Sequence, residues 1–528
     1  MIKKNLLFFL FITSLLVIIF LTYKDYGIAW DEKVYIQVGR HYLIQIFNLF
    51  RIPHNLTEST FIHGGVHIRT HGVFFDLITL LSTLPFKKFT FELYHLIKAL
   101  YSVLIFVFLY LIISKLTSKV YGLISVVFLL LIPSFFTFIF VNSIDIPTTL
   151  FFTLALWYLF YFLDSNQNIA KQIIFGLIMA LIINQRAVFW YLMILNLLFL
   201  LILNLRKNKK SLKQLAIEQL TIFISTIFFM HFTHPYLFTH PIVGILDMIR
   251  ESLKGFPFGA AVLFEGTFYQ AGVNPLPWYY LPKMILITTP IIFHILFLIG
   301  NLVIFSSTFK NVLIPSMQRS SKDGNSRWIQ LYLMMIFYVP IILVILFRPT
   351  LYDSWRQFLF LIIPMIIIAM FGLKSLFSFK IGNWSLEIGH WKLITGLLVI
   401  ISLLFTVKEM ITLHPYQYLY FNSLAGGLKG ASGKYETDYL GLGYKEGVEW
   451  FNENVNDQKK AYKIFVEGDP LSSTTYFKPN MHLTTNVNEA DYIFTFTRWS
   501  FHLRHPGKTI YTVKREGVPL IFIKKITP

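Results

Sequence analysis

From Val120 to Phe140 the chain reads VYGLISVVFLLLIPSFFTFIF, a run without one charged side chain. Coiled as a helix, about 20 such residues rise about 30 Å, the depth of a bilayer's hydrocarbon core. Ten more runs read the same way: Leu6–Tyr23, Leu96–Ile113, Ile146–Phe162, Ile173–Ile183, Ala187–Leu205, Leu215–Phe232, Met284–Ile304, Trp328–Phe347, Phe358–Leu373 and Leu393–Val407. Ile173–Ile183 is short and borrows its flanks. Across the 528 residues, 55% are hydrophobic and 14% charged, against about 25% charged in soluble domains. So apolar a chain cannot clothe itself in polar surface. That excludes a soluble enzyme, a disordered chain and a nucleic-acid-binding protein, in spite of the net charge of +19. There is no cysteine, so disulfides, thiolate catalysis and Cys-bound metals are excluded. The fold class is an α-helical polytopic membrane protein of about 11 spans.

Lys and Arg collect in short cytoplasmic loops. With Lys3 and Lys4 inside, the loops bearing Lys115, Lys119, Lys171, Arg206–Lys213, Arg319–Arg327, Lys374 and Lys380 also fall inside. The first apolar run lacks an Ala-x-Ala-like cleavage site and reads as an uncleaved anchor. Val73–Phe86 is short and contains Asp76, so it reads as a re-entrant or interfacial helix. This topology expects a plasma-membrane protein with a cytoplasmic N-terminus and three outer segments: loops 24–90 and 233–283, and a tail, 413–528. The division is a transmembrane module, 1–412, and an extracytoplasmic domain, 413–528. Within loop 24–90, Val34, Val38, Leu43, Ile46, Phe47 and Phe50 recur at helical spacing, as in a helix lying on the membrane. The tail reads as a small α/β domain, with a helix at Tyr444–Asn454. Its strands are Lys463–Val466, Tyr492–Thr497, Ile510–Val513 and Leu520–Ile523, the last two joined around Glu516-Gly517.

Charges near membrane depth are costly and need a partner or a purpose. Here they ring the outer ends of the spans. Asp31 and Glu32 follow the first span; Asp145, Arg186, Asp353 and Arg356 sit in outer turns. Asp31 could deprotonate an acceptor hydroxyl, hold a divalent cation, or cap the helix that follows. Glu32 points elsewhere on a helix. Asp353 and Arg356, three apart, suit an ion pair, and Arg356 could equally grip a lipid phosphate. Arg186 and Lys283 allow that grip or snorkel to the headgroups. Asp145 reads as a cap. His67 and His71, with His231, His234 and His240, lack the Glu of a His-Glu-x-x-His zinc site. Leu276–Pro282 is an interfacial aromatic belt or the lining of an isoprenoid groove.

Taken in order, several runs are similar to those of the membrane-integral C-superfamily glycosyltransferases. They are Trp30-Asp31-Glu32, His71–Leu77, Asn142-Ser143-Ile144-Asp145-Ile146-Pro147, Val262–Gly266, Leu276–Pro282, Leu351–Arg356, His414–Asn422, Gly426-Gly427 and Asp438–Leu442. The nearest resemblance is to the bacterial branch related to dolichyl-phosphate-mannose–protein mannosyltransferases, and it extends to about residue 455. It implies a polyprenyl-phosphate-linked sugar donor, a lipid, glycan or protein acceptor, and inverting transfer at the outer face. Asp31, with Glu32 beside it, takes the catalytic position. Arg356 and Arg186 take the donor phosphate, and Asp353, Asp145 and His71 support them. Two departures stand out: His71-Gly72-Val73 replaces a His-Pro-Pro-like run, and Asn142–Asp145 lacks a Lys before its Asp. No cofactor is required; a divalent cation is optional. A lipid-linked glycan flippase would need polar groups through the full bilayer depth. A noncatalytic scaffold would tolerate loss of Asp31.

Overall fold

Pro133 and Pro290 each break a membrane helix partway. The residue before a proline is pushed out of the helical region, and Ile132 (φ −88°, ψ 107°) and Thr289 (φ −114°, ψ 142°) are both extended. Helices Lys119–Leu130 and Pro133–Val141 therefore meet at 72°, and Tyr280–Thr288 and Ile291–Ser306 at 119°. The computed structural model describes residues 5–56, 72–86, 88–207, 210–254, 259–270, 273–313, 321–378 and 388–526. Among them, seven unbroken helices are long and apolar enough to cross a membrane, nine with each bent pair taken as one span. Leu6–Thr22 and Ile169–Gln185, at 17 residues each, stand at the lower limit for crossing. All eleven expected runs are thus helical, two of them broken. The chain is a multi-pass membrane protein.

Helices Ile291–Leu313 and Ile362–Ser378 touch backbone to backbone. A Cβ on Gly300 would collide with the Ile368 carbonyl, and one on Gly372 with that of Leu296. Within a bilayer, such small residues are what permits close approach.

Phe74–Thr83 is ten residues long, about 15 Å of helix, roughly half the depth of the hydrocarbon core. Trp30–Leu49 is a helix as its periodicity predicts, but its apolar stripe is shared between protein and surroundings. Val38 and Leu43 are buried with Leu77, Leu80 and Tyr94, while Phe50 is 68% exposed.

The tail holds a five-stranded sheet. A hairpin in the second outer segment supplies β1 (Val262–Phe264) and β2 (Thr267–Tyr269); the tail supplies β3 (Tyr462–Val466), β4 (Met481–Thr484), β5 (Tyr492–Phe496), β6 (Lys508–Arg515) and β7 (Val518–Lys525). Their order is β4-β3-β5-β7-β6, parallel from β4 to β5 and antiparallel beyond. The β6–β7 turn needs two left-handed residues, and Glu516 (φ 51°) and Gly517 (φ 80°) supply them. Helix Tyr444–Asn454 buries Tyr444, Val448 and Phe451, one stripe at helical spacing, with the Phe451 ring 4.8 Å from that of Tyr492.

The three expected outer segments meet at one end of the bundle. Trp30 N–H donates to the Leu440 carbonyl (3.3 Å), Gly266 N–H to that of Lys434 (3.0 Å) and Trp499 Nε1 to that of Ala261 (2.6 Å). Gly441, at φ 71°, is a glycine for two reasons: its backbone is left-handed, and the Trp30 indole fills the space of a Cβ.

Candidate active site

Four separate segments bring their charged residues to one point. Asp31 stands in the first turn of Trp30–Leu49, Asp145 opens Asp145–Asp164, Arg186 ends Ile169–Gln185, and Asp353 and Arg356 lie in the turn before Ile362–Ser378. Arg356 is the hub. Its Nη1 is 2.8 Å from Asp31 Oδ2 and 3.5 Å from Asp145 Oδ2, and its Nη2 donates to Asp353 Oδ2 at 2.9 Å. Arg186 Nη2 takes the other Asp145 oxygen at 2.5 Å. Five of the residues singled out in the sequence therefore form one cluster.

Local chemistry sets each position. Asn142 Oδ1 accepts from the backbone N–H groups of Ile144 (2.9 Å) and Asp145 (2.6 Å), while its Nδ2 donates to Asp145 Oδ2 (2.8 Å). Asp145 is therefore not the cap expected of it: Ile144 occupies that position, and Asn142 fixes the turn so that the Asp145 carboxylate meets the two arginines. Asp31 is not a cap either. Ala29 occupies that position, and Glu32 closes the turn by accepting from Ala29 N–H at 2.9 Å. Asp353 (φ 55°) and Ser354 (φ 64°) are both left-handed, a conformation that costs non-glycine residues about 1–3 kcal/mol each and needs holding.

Exposure separates the carboxylates. The Asp31 side chain is 38% exposed, against 1% for Asp145 and 5% for Asp353. Asp31 is the one that a second molecule can reach.

Glu32, expected beside Asp31, is turned away and fully buried. Lys98 Nζ donates to it at 2.7 Å and His95 Nε2 lies 3.0 Å away. Burial works to raise its carboxyl's pKa, but His95 and Lys98 together hold it below the ordinary value. Lys283 pairs with Glu265 away from the cluster. His231 is bonded to the carbonyls of Ile227 and Pro241. His67 and His71 lie outside the described residues. Among the described residues no group of three or more His, Asp or Glu is arranged to hold a metal.

Sequence reasoning missed three members of this region. Lys98 and His95 had a signal, being polar residues at the N-terminal end of the run Leu96–Ile113. Arg498 had none. It comes from the tail, beyond the last family-like motif, and pairs with Asp353.

Residues 70–230 match the family described as dolichyl-phosphate-mannose-protein mannosyltransferase. The chain resembles that family, as its motifs imply, and the matched stretch carries Asp145 and Arg186. No curated protein matches the chain significantly. Among solved structures, ArnT from Cupriavidus metallidurans in the apo state is 10% identical over 99% of this chain and 98% of its own, with a TM-score of 0.48. Its undecaprenyl-phosphate-bound form is also 10% identical, over 98% of each chain, at 0.48. The apo oligosaccharyltransferase of Archaeoglobus fulgidus is 11% identical over 92% of this chain and 69% of its own, at 0.47.

Proposed function

We propose that this protein transfers a sugar from a polyprenyl-phosphate-linked donor to an acceptor hydroxyl at the outer face of the plasma membrane, with inversion. One observation carries the reading: a single solvent-open carboxylate, Asp31, shares a guanidinium with buried carboxylates. In the resting site Arg356 holds Asp31 in an ion pair. A donor phosphate would compete for Arg356, and as that guanidinium turns to the new anion it frees Asp31 Oδ2 for the acceptor hydroxyl. Asp31 then takes the acceptor's proton while the acceptor oxygen bonds to the anomeric carbon. On the opposite face the bond from that carbon to the phosphate oxygen breaks, and polyprenyl phosphate leaves. Arg356 and Arg186 meet the charge that grows on it, the task of fixed cations in a water-poor site. Asp353 and Asp145 hold those cations in place. One base and a phosphate clamp suffice for a single displacement; a paired-carboxylate arrangement is not needed. In this reading, the guanidinium groups do the work a divalent cation could do elsewhere.

The full-length protein in nanodiscs, given a panel of polyprenyl-phosphate sugars and cell-envelope extract, tests this. One donor should give polyprenyl phosphate release, and Asp31→Asn should lower it at least about 100-fold, the lower end of what a general base contributes. Undiminished release by Asp31→Asn would remove Asp31 as base. No release from any donor by folded wild type would favour the flippase or scaffold reading.

A further inference from the structure

Arg498 belongs to the C-terminal domain but is part of the charged cluster. Its side chain is 4% exposed. One Nη pairs with Asp353 Oδ1, Nη1 donates to the Tyr439 carbonyl at 2.7 Å, and Nε lies 3.5 Å from Glu436. The guanidinium packs against a pair of indoles that touch each other, 5.5 Å from the ring centre of Trp30 and 4.5 Å from that of Trp499, with the two ring centres 5.8 Å apart. Trp30 is the residue before Asp31. Trp499 and Ser500 are left-handed at φ 51° and 57°, so two strained residues of the tail face the two strained residues of the Asp353 turn across one ion pair. Backbone strain concentrated on both sides of a contact indicates that the surroundings hold the contact in place.

Asp353 is divided between two arginines: Oδ2 takes Arg356 and Oδ1 takes Arg498. Left to one arginine, a carboxylate favours the two-pronged pair with both oxygens on one guanidinium. We propose that Arg498 is a positioning residue. By occupying Asp353 Oδ1 it keeps Arg356 from closing on Asp353, so that Nη1 of Arg356 stays directed at Asp31 and at the incoming phosphate. The C-terminal domain then completes the transfer site. The inference rests on the glycosyl-transfer reading for its effect on rate, and on geometry alone for its effect on the 351–356 turn.

Full-length R498M and R498K in nanodiscs, with the donor that supports wild-type release, separate the two. Misplacing a reacting group by about 1 Å costs about 100-fold in rate, so R498M should lose about that much kcat with KM changed less than about threefold. R498K should recover at least about tenfold of the loss. Hydrogen exchange over 351–356 should quicken in R498M. Wild-type kcat together with unchanged exchange in R498M overturns the proposal. So does an equal loss in both variants with faster exchange throughout the tail, which marks a general docking contact. If the wild type releases nothing from any donor, the glycosyl-transfer reading fails by itself. Exchange at 351–356 then decides whether Arg498 holds the turn, and unchanged exchange overturns that too.

Discussion

Lys98 and Glu32 have no exposed side-chain surface and answer one another at 2.7 Å. Removing one partner of such a pair strands a buried charge and costs about 3–5 kcal/mol. Lys98→Met should therefore lower the melting temperature of the purified protein sharply, and the double variant Glu32→Gln/Lys98→Met should recover most of the loss. A double variant no more stable than Lys98→Met alone would show that the pair is not what holds the turn. Lys98 Nζ also reaches Ser143 Oγ at 3.3 Å, so it ties the helix bearing Asp31 to the turn bearing Asp145. At this scale the sequence was legible where a charge sat at the end of an apolar run: Asp31, Asp145, Arg186, Asp353 and Arg356 all announced themselves that way. Which way each side chain turned was not legible. Asp31 and Glu32 are adjacent, and only the capping turn at Ala29 decides that one faces Arg356 and the other Lys98.

Helices are where hydropathy reads best, because a span must satisfy its backbone within itself. Each apolar run became helix, and Tyr444–Asn454 fell as the period of its apolar residues predicts. The β4 strand and the β1–β2 hairpin were not foreseen. They are three or four residues long, too short for an alternating pattern to stand out. Nor does hydropathy show where two helices approach. Gly300 and Gly372 reveal that only once the facing carbonyls are placed. Gly372→Leu should push helices Ile291–Leu313 and Ile362–Ser378 apart and lower the yield of folded protein. Gly396→Leu is the matched control, because its nearest neighbour is a side-chain atom 4.0 Å away. Equal yields from both would refute the close-packing account.

The whole molecule joins its tail to its membrane part through buried ionisable groups, and pH should act there. Burial, with Asp353 adding to it and Arg498 opposing it, pushes the Glu436 carboxyl up from an ordinary 4.5 to about 7. Between those values the unfolded chain has lost the proton and the folded chain keeps it. The stabilisation is complete below about pH 4.5 and is lost as pH rises through about 7. Thermal stability should accordingly fall between about pH 4.5 and 7, and Glu436→Gln should flatten the fall. An unchanged slope in the variant would exclude Glu436 as its source. The sequence divided the chain at residue 413 and left open whether the tail binds an acceptor or braces the outer loops, since a domain with its own sheet gives no sign of a single arginine reaching outward.

That reach has a consequence for the order of events during synthesis. The turn bearing Asp353 is made 145 residues before Arg498, so the spans emerge and enter the bilayer while the cluster still lacks its last cation. At that stage Asp353 has Arg356 as a partner but not yet Arg498. Folding of the tail against the turn is then the step that fills Asp353 Oδ1 and completes the cluster.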